Sequence, residues 1–284
     1  MAPLLSVCLI TYNHVKYIEQ AIEGVLMQKV DFPFELIIAD DYSTDGTREI
    51  LEVYQRKYPD IVRLILQKTN VGAAQNWMDL ITCPHSKYIA YFEGDDYWTD
   101  PYKLQKQIDF LEANEDYSIY FHEATILYED GRELFFNNIA QNTTFDFFDL
   151  TQKNLISTAS CVFRVYNHHH PLPVWFFNIK AGDWALHLLN ATQGKIYYSK
   201  ECMSVYRIHS QSIWASLQRD QMLAKGIEVI DQLNAAFDYK YNEYFEKAKA
   251  QRAIDFNSPN LPLISSKESF KEKLKRKIKL YIGL

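Results

Sequence analysis

Between Leu4 and Glu93, short apolar runs rich in β-branched residues alternate with stretches of helical period, and few folds accommodate that alternation. The runs are "LLSVCLI", "FELIIAD", "IVRLILQ" and "KYIAYFE". Unbroken apolar character over a strand's length is typical of a parallel strand covered on both faces. In the intervals, Val15, Ile18, Ile22, Val25 and Leu26 fall on one helical face, as do Ile50, Leu51, Tyr54 and Tyr58, and then Ala74, Trp77, Met78 and Ile81. Strand followed by helix, repeated, predicts an α/β fold with a mostly parallel central sheet.

The pattern changes after Trp98. "TDPYKLQKQIDFLEAN" reads as a helix with Asp100 as N-cap, Pro101 at the first helical position, and Leu104, Ile108 and Leu111 on its buried face. Residues 117–164 alternate like antiparallel strands, with a turn at Asp130-Gly131. "GDWALHLLNATQG" predicts a short helix ended by Gly194, followed by the strands "KIYYS" and "MSVYRIH". From about Ser216 the pattern is helical, and no internal repeat or low-complexity linker interrupts the chain.

Composition removes several classes of function. With 284 residues, 48% of them hydrophobic and 23% charged, the chain can bury a sizeable core and is no disordered polymer. No apolar run approaches the ~18 residues of a membrane-spanning helix. The start "MAPLLSVCLITYN" lacks a basic region and a small-residue cleavage site, so no secretory signal is expected. Cys8, Cys83, Cys161 and Cys202 have no CxxC spacing, which favours free thiols and a cytoplasmic location. The net charge of −6 gives no footprint for nucleic acid. It hides a basic end: residues 267–284 hold seven Lys or Arg against two Glu, a tail of +5 that leaves −11 for the remainder.

In open α/β sheets, ligands sit at the carboxyl ends of the strands, at a topological switch point. Three polar clusters follow predicted strands: "TYN" (Thr11 to Asn13), "DDYSTDGT" (Asp40 to Thr47) and "GDD" (Gly94 to Asp96). The loop after the first strand has no glycine, which argues against both a dinucleotide fingerprint and a P-loop. Adjacent carboxylates at a strand end suit a hard divalent cation, Mg²⁺ or Mn²⁺, that also binds substrate phosphates. Without a cation the pair repels, and one pKa rises.

"SVCLITYN", "IIADDYSTDGT", "NVGAAQNW" and "FEGDDYW", in this order and spacing over residues 5–110, resemble the nucleotide-binding half of the family 2 glycosyltransferases, which have the GT-A fold. The resemblance implies a GT-A domain over residues 1–215 and leaves 216–284 as a helical extension ending in the basic tail. It implies a metal-dependent, inverting transfer of a hexosyl or N-acetylhexosaminyl group from a nucleotide diphosphate sugar, UDP being the expected nucleotide. The acceptor would be a glycan or a lipid-linked glycan, as in surface polysaccharide synthesis.

Position by position, Tyr12 matches the residue that stacks on the base, with Thr11 beside it, and Asp41 the residue that accepts a hydrogen bond from uracil. Asn70 and Gly72 match positions lining the nucleoside. Asp95 matches the residue near ribose and metal, and Asp96 the principal metal ligand of a DXD-type motif that here begins with Glu93 in place of Asp. Asp183 stands where inverting members keep their general base, with Gly182 where an acidic residue is common. Arg207 and His209 match groups that approach the diphosphate and metal, and Trp214 an acceptor-site residue.

The chemistry asks for the same parts. Inversion needs an acceptor hydroxyl deprotonated on one face of the sugar while the diphosphate leaves from the other. An Asp at a helix N-terminus is expected to be held ionised by the helix dipole.

Each assignment has a structural alternative. Asp183 or Asp45 could cap a helix, Asp40 order its loop, and His209 be a core histidine; Tyr97 and Trp98 could be packing, and His168-His169-His170 a polar loop. The tail, with Phe270, Leu274, Ile278 and Ile282 at i, i+4 spacing, suits either a helix lying on the inner face of the cytoplasmic membrane or one packed on protein, including a second copy. Two other functions keep an α/β nucleotide-binding layout. One is a sugar-nucleotide nucleotidylyltransferase, which would want a glycine-rich basic first loop; the other is a catalytically silent glycan-binding protein.

Overall fold

The computed structural model describes residues 2–165, 172–179, 181–210 and 219–257. In chain order the elements are β1 (Leu5–Thr11), α1 (Ile18–Leu26), β2 (Phe34–Asp40), α2 (Thr47–Lys57), β3 (Val62–Leu66), α3 (Ala73–Ile81), β4 (Tyr88–Glu93), β5 (Tyr97–Trp98) and α4 (Lys103–Ala113). There follow β6 (Tyr117–Tyr128), β7 (Glu133–Phe135), β8 (Thr143–Phe145), α5 (Phe147–Gln152), β9 (Val162–Arg164), α6 (Gly182–Ala191), β10 (Lys195–Ile208), α7 (Arg219–Ala236) and α8 (Asn242–Asn257).

All strands join one sheet in the order β3-β2-β1-β4-β9-β6-β10-β5, with β7 added on β6 and β8 on β10. The four runs of the first hundred residues form its parallel half. Their apolar character follows from two cores, one on each face. Alternate side chains divide between them: Cys8, Ile37, Ala39, Ile89 and Tyr91 face one, and Leu5, Val7, Leu9, Leu36, Ile38, Ala90 and Phe92 the other. Helices α1, α2 and α4 cover the second face, and α3 and α6 cover the first. Val229, Ile230 and Leu233 of α7 and Phe245 and Ala248 of α8 join that first core, so these helices are packed into the same body as the sheet.

Two expectations are corrected. Helix α4 begins at Lys103, because Asp100 accepts the Tyr102 N–H at 2.7 Å and holds Pro101-Tyr102 in a turn ahead of the helix. "KIYYS" and "MSVYRIH" are one strand, β10, whose register shifts between Ser199 and Ser204 let a polar stretch pass through it. That strand pairs with β6 in parallel, although β6 also forms the expected antiparallel hairpin with β7 through Asp130-Gly131.

Chain order fixes where a ligand would sit. From β1 the chain builds outward through β2 and β3, then returns to place β4 on the other side of β1. The switch point therefore lies at the carboxyl ends of β1 and β4, in register at Ile10 and Glu93.

Candidate active site

The loops leaving β1 and β2 are tied to each other by their own side chains. Asn13 N–H donates to Ser43 Oγ at 2.8 Å, and Thr44 N–H donates to Asn13 Oδ1 at 2.9 Å. Asp40, fully buried, accepts from Ser43 N–H at 3.0 Å and from Arg48 Nε at 2.6 Å, so it orders the loop as its structural alternative required. Asp45 accepts from the N–H of Thr47 at the head of α2 and from the Val15 N–H, both at 3.0 Å.

Asp41 reaches the loop after β3. Its two oxygens accept the Val71 N–H at 2.7 Å and the Gly72 N–H at 3.0 Å, and Asn70 Nδ2 donates to the Asp41 carbonyl at 3.3 Å. Asp41, Asn70 and Gly72 are thus brought together, with Gly72 at a φ of 87° that favours glycine. Tyr12, just past the end of β1, is 46% exposed, while Thr11 before it is buried and its Oγ1 has no partner.

At the end of β4, Gly94 permits a close approach. A Cβ there would lie 3.0 Å from Thr11 Oγ1 and 3.1 Å from His14 Nδ1. His14 was not singled out by the sequence, yet it sits against Asp95: burial lowers its pKa, and the Asp95 charge opposes that.

The two carboxylates of the acidic pair have different surroundings. Asp95 Oδ2 is 2.9 Å from His209 Nε2. Burial works to raise the Asp95 pKa, but that hydrogen bond and the nearby His14 and His209 hold it below the ordinary value. Asp96 is 1% exposed; its Oδ1 accepts the Arg207 N–H at 2.8 Å and its Oδ2 has no partner. Burial, then Asp95 and Glu93, push its pKa well above the usual carboxylate range.

Arg207 is held on several sides. Its guanidinium donates to the Asp95 carbonyl and to Gln20, and stacks on Tyr97 at 4.3 Å and Tyr17 at 5.0 Å. Tyr97 is accordingly a packing partner of Arg207, and Trp98 is buried with its Nε1 on the Ala159 carbonyl at 2.9 Å. His209 stacks on Tyr17 at 5.1 Å and lines a cleft of about 330 Å³ shared with Asn13, Lys16, Asp45 and Glu129.

Asp183 lies in the first turn of α6, whose N-cap is Ala181. Asn154 Nδ2 donates to it at 3.0 Å. Burial raises its pKa against the effects of the Trp184 N–H and Asn154, so desolvation outweighs the helix terminus's pull toward the ionised form. Gly182 is explained by space: a Cβ there would meet the Trp77 ring at 2.8 Å.

Glu93 adds charge to the same neighbourhood. It accepts from the Thr158 hydroxyl and from Tyr91 at 3.3 Å; burial, opposed by Thr158 and reinforced by Asp95 and Asp183, pushes its pKa up to about 7. Tyr206 of β10 feels Asp96, Glu93, Asp95 and Asp183 together, which places the base candidate in the same electrostatic neighbourhood as the acidic loop. Sequence reasoning missed Tyr206, Asn154, Thr158 and His14, none of which carries a local motif.

The metal question turns on donor chemistry. Asp95 and His209 offer an oxygen and a nitrogen at one end of the crevice, and a site of one or two protein ligands completed by waters and substrate phosphates suits Mg²⁺ or Mn²⁺. Among the described residues no group of three or more His, Cys, Asp or Glu side chains is placed to hold a metal ion. Trp214, the three consecutive histidines and the basic tail lie outside the described residues. Among the described residues no helix is long and apolar enough to cross a membrane.

Residues 6–169 match the model of Glycosyl transferase family 2. An uncharacterized protein of Mycobacterium tuberculosis is 38% identical over 218 residues, 76% of this chain and 62% of that one. The chain thus spans less than two thirds of the length of these relatives. The putative teichuronic acid biosynthesis glycosyltransferase TuaG of Bacillus subtilis is 28% identical over 83% of this chain and 92% of its own. Among solved structures, S. aureus TarS 1–349 in complex with UDP-GlcNAc superposes with a TM-score of 0.65 at 18% identity, over 96% of this chain and 78% of that one. The mannosyltransferase PcManGT of Pyrobaculum calidifontis, in complex with GDP-Man and Mn²⁺, gives 0.57 at 14% identity, over 99% and 81%. At these identities the two structures establish the GT-A fold.

Proposed function

The chain belongs to the family 2 glycosyltransferases, and on that premise we propose that it transfers a sugar from a nucleotide diphosphate donor, UDP being the expected nucleotide, to a glycan acceptor in polysaccharide synthesis, with inversion. The observation that carries the reading is that Asp41 follows β2 and Asp95, paired with His209, follows β4, the two strands that flank β1, while Asp183 at the head of α6 acts with Asp95 on the charge of Glu93. The teichuronic acid and UDP-GlcNAc associations of TuaG and TarS favour it.

Each residue has a part. Tyr12 stacks on the base, Asp41 accepts from it with the lone pairs its two amide donors leave open, and Asn70 and Gly72 line the nucleoside. Asp95 and His209 would hold a divalent cation, which when bound neutralises charge building on the departing diphosphate. Asp96, buried on the Arg207 N–H, fixes β10 against the acidic loop, so its part is to set the position of Arg207 and His209; the metal-ligand role passes to Asp95. Arg207 holds the Asp95 carbonyl from the other side. Asp183, whose pKa burial raises above the ordinary carboxylate value and whose basicity therefore rises with it, is suited to take the proton of the acceptor hydroxyl.

The test is a panel of nucleotide sugars with Mn²⁺ and a pool of glycan acceptors, read by release of nucleoside diphosphate. Acceptor-dependent release that Asp95→Asn and His209→Ala both suppress is expected. Pyrophosphate as the product would assign the chain to nucleotidyl transfer, and wild-type silence with every donor would refute transfer altogether.

A further inference from the structure

We propose that Tyr42 is a second aromatic wall of the nucleobase subsite, bracketing with Tyr12 the base that Asp41 reads; the inference rests on the nucleotide donor proposed above. Tyr42 has a φ of 63°, in the left-handed region that a bulky side chain rarely occupies and that glycine enters freely. Its ring belongs to neither core and is 44% exposed. The fold therefore places a strained residue at this position without burying its side chain, and strain of that kind clusters at ligand sites.

Two further features fix where the ring stands. The Arg48 guanidinium lies 5.0 Å from the ring centroid, and is itself anchored on Asp40 at 2.6 Å and on the Gln67 carbonyl. One face of the aromatic system thus rests on a fixed cation. The loop bearing Tyr42 is also tied to the loop bearing Tyr12 through Asn13, which has a left-handed φ of 55° of its own. Two exposed tyrosines, one on each of two cross-tied loops, adjoin Asp41 at the ends of neighbouring strands that are in register at Thr11 and Asp40. A flat heterocycle directed at Asp41 has a π-face to offer each ring, and stacking of this kind tolerates any base, which leaves base selection to Asp41.

Strain and binding make opposite demands, and this separates the proposal from a structural role. Tyr42→Gly and Tyr42→Asn fit the left-handed backbone, so each should melt no lower than wild type. Each should bind UDP with Mn²⁺ about tenfold more weakly by calorimetry, the scale of one lost base–aromatic stack. Tyr42→Phe should bind as wild type does, and pyrophosphate with Mn²⁺ should bind all four proteins alike. UDP affinity equal across the four overturns the proposal, as does an equal loss of pyrophosphate binding in the Gly and Asn variants. Wild-type failure to bind UDP, GDP, CDP or dTDP would overturn the donor reading and this inference with it.

Discussion

Replacing Glu93 by glutamine should stabilise the metal-free protein by an amount that grows as pH rises from about 5 to about 7 and then stays level. Burial first, then Asp95 and Asp183, raise the Glu93 pKa from 4.5 to about 7 against the hydrogen bond from Thr158. A carboxyl raised in the folded state favours folding only while protonated. Its contribution is whole below 4.5 and is lost as pH rises through about 7. At pH 8 the ionised group costs the fold about 3 kcal/mol relative to its protonated form, from ~1.4 kcal/mol per pKa unit over that interval. The glutamine would carry no charge at any pH, and the hydroxyls of Thr158 and Tyr91 can turn to meet its amide. In EDTA, the Tm of Glu93→Gln should match wild type near pH 5 and exceed it by about 6 °C at pH 8, at ~2 °C per kcal/mol for a chain of this size. A Tm difference that stays constant between pH 5 and pH 8, or a variant less stable at pH 8, would show that Glu93 is not the charge under strain.

Asp183→Asn should lower kcat by about 10² to 10⁴ while leaving donor affinity within about twofold, since it removes proton acceptance and keeps the Asn154 contact in an isosteric form. The wild-type rate should fall as pH drops through the raised Asp183 pKa, whereas the residual rate of the variant should not follow that limb. Gly94→Ala should lower stability by about 1–3 kcal/mol in denaturant titration, because the new methyl meets Ile18 and Thr11 at 3.0 Å and His14 at 3.1 Å. A variant as stable as wild type would show that the β1 loop yields without cost.

The parallel half of the sheet was legible because burial on both faces leaves an unbroken apolar run in the sequence. Leu5–Thr11 and Tyr88–Glu93 announce themselves without any neighbour. The pairing of β6 with β10 was not legible, because residues Tyr117 and Lys195 carry no local mark of their partnership, and the polar stretch at Ser199 to Cys202 divided one strand in two. In the site, strand-end carboxylates were legible as a class: Asp40 turns into its own loop, and Asp41 reaches the loop after β3. The contributions of Asn154, Thr158 and His14 depend on distances across 29, 65 and 81 residues respectively, counted to Asp183, Glu93 and Asp95, and no periodicity records them.

What the chain alone could not divide was the acidic pair, since neighbouring aspartates on one loop differ only in which way the backbone turns them. Asp95 faces two imidazoles, and these outweigh the cost of its burial. Asp96 turns inward, caps a β10 amide, and keeps one oxygen without a partner among the described groups. A buried carboxylate with one amide donor costs more ionised than protonated, for its partnerless oxygen then carries charge away from water. The loop can therefore hold its like charges together by keeping them unequal: ionised at Asp95, where a cation and a diphosphate are expected, and protonated more readily at Asp96 and Glu93 behind it. Exchanging the two environments would be costly, because an ionised Asp96 would repel Asp95 and Glu93 from a buried position, and the stronger hydrogen bond it would then accept from the Arg207 amide opposes that only in part.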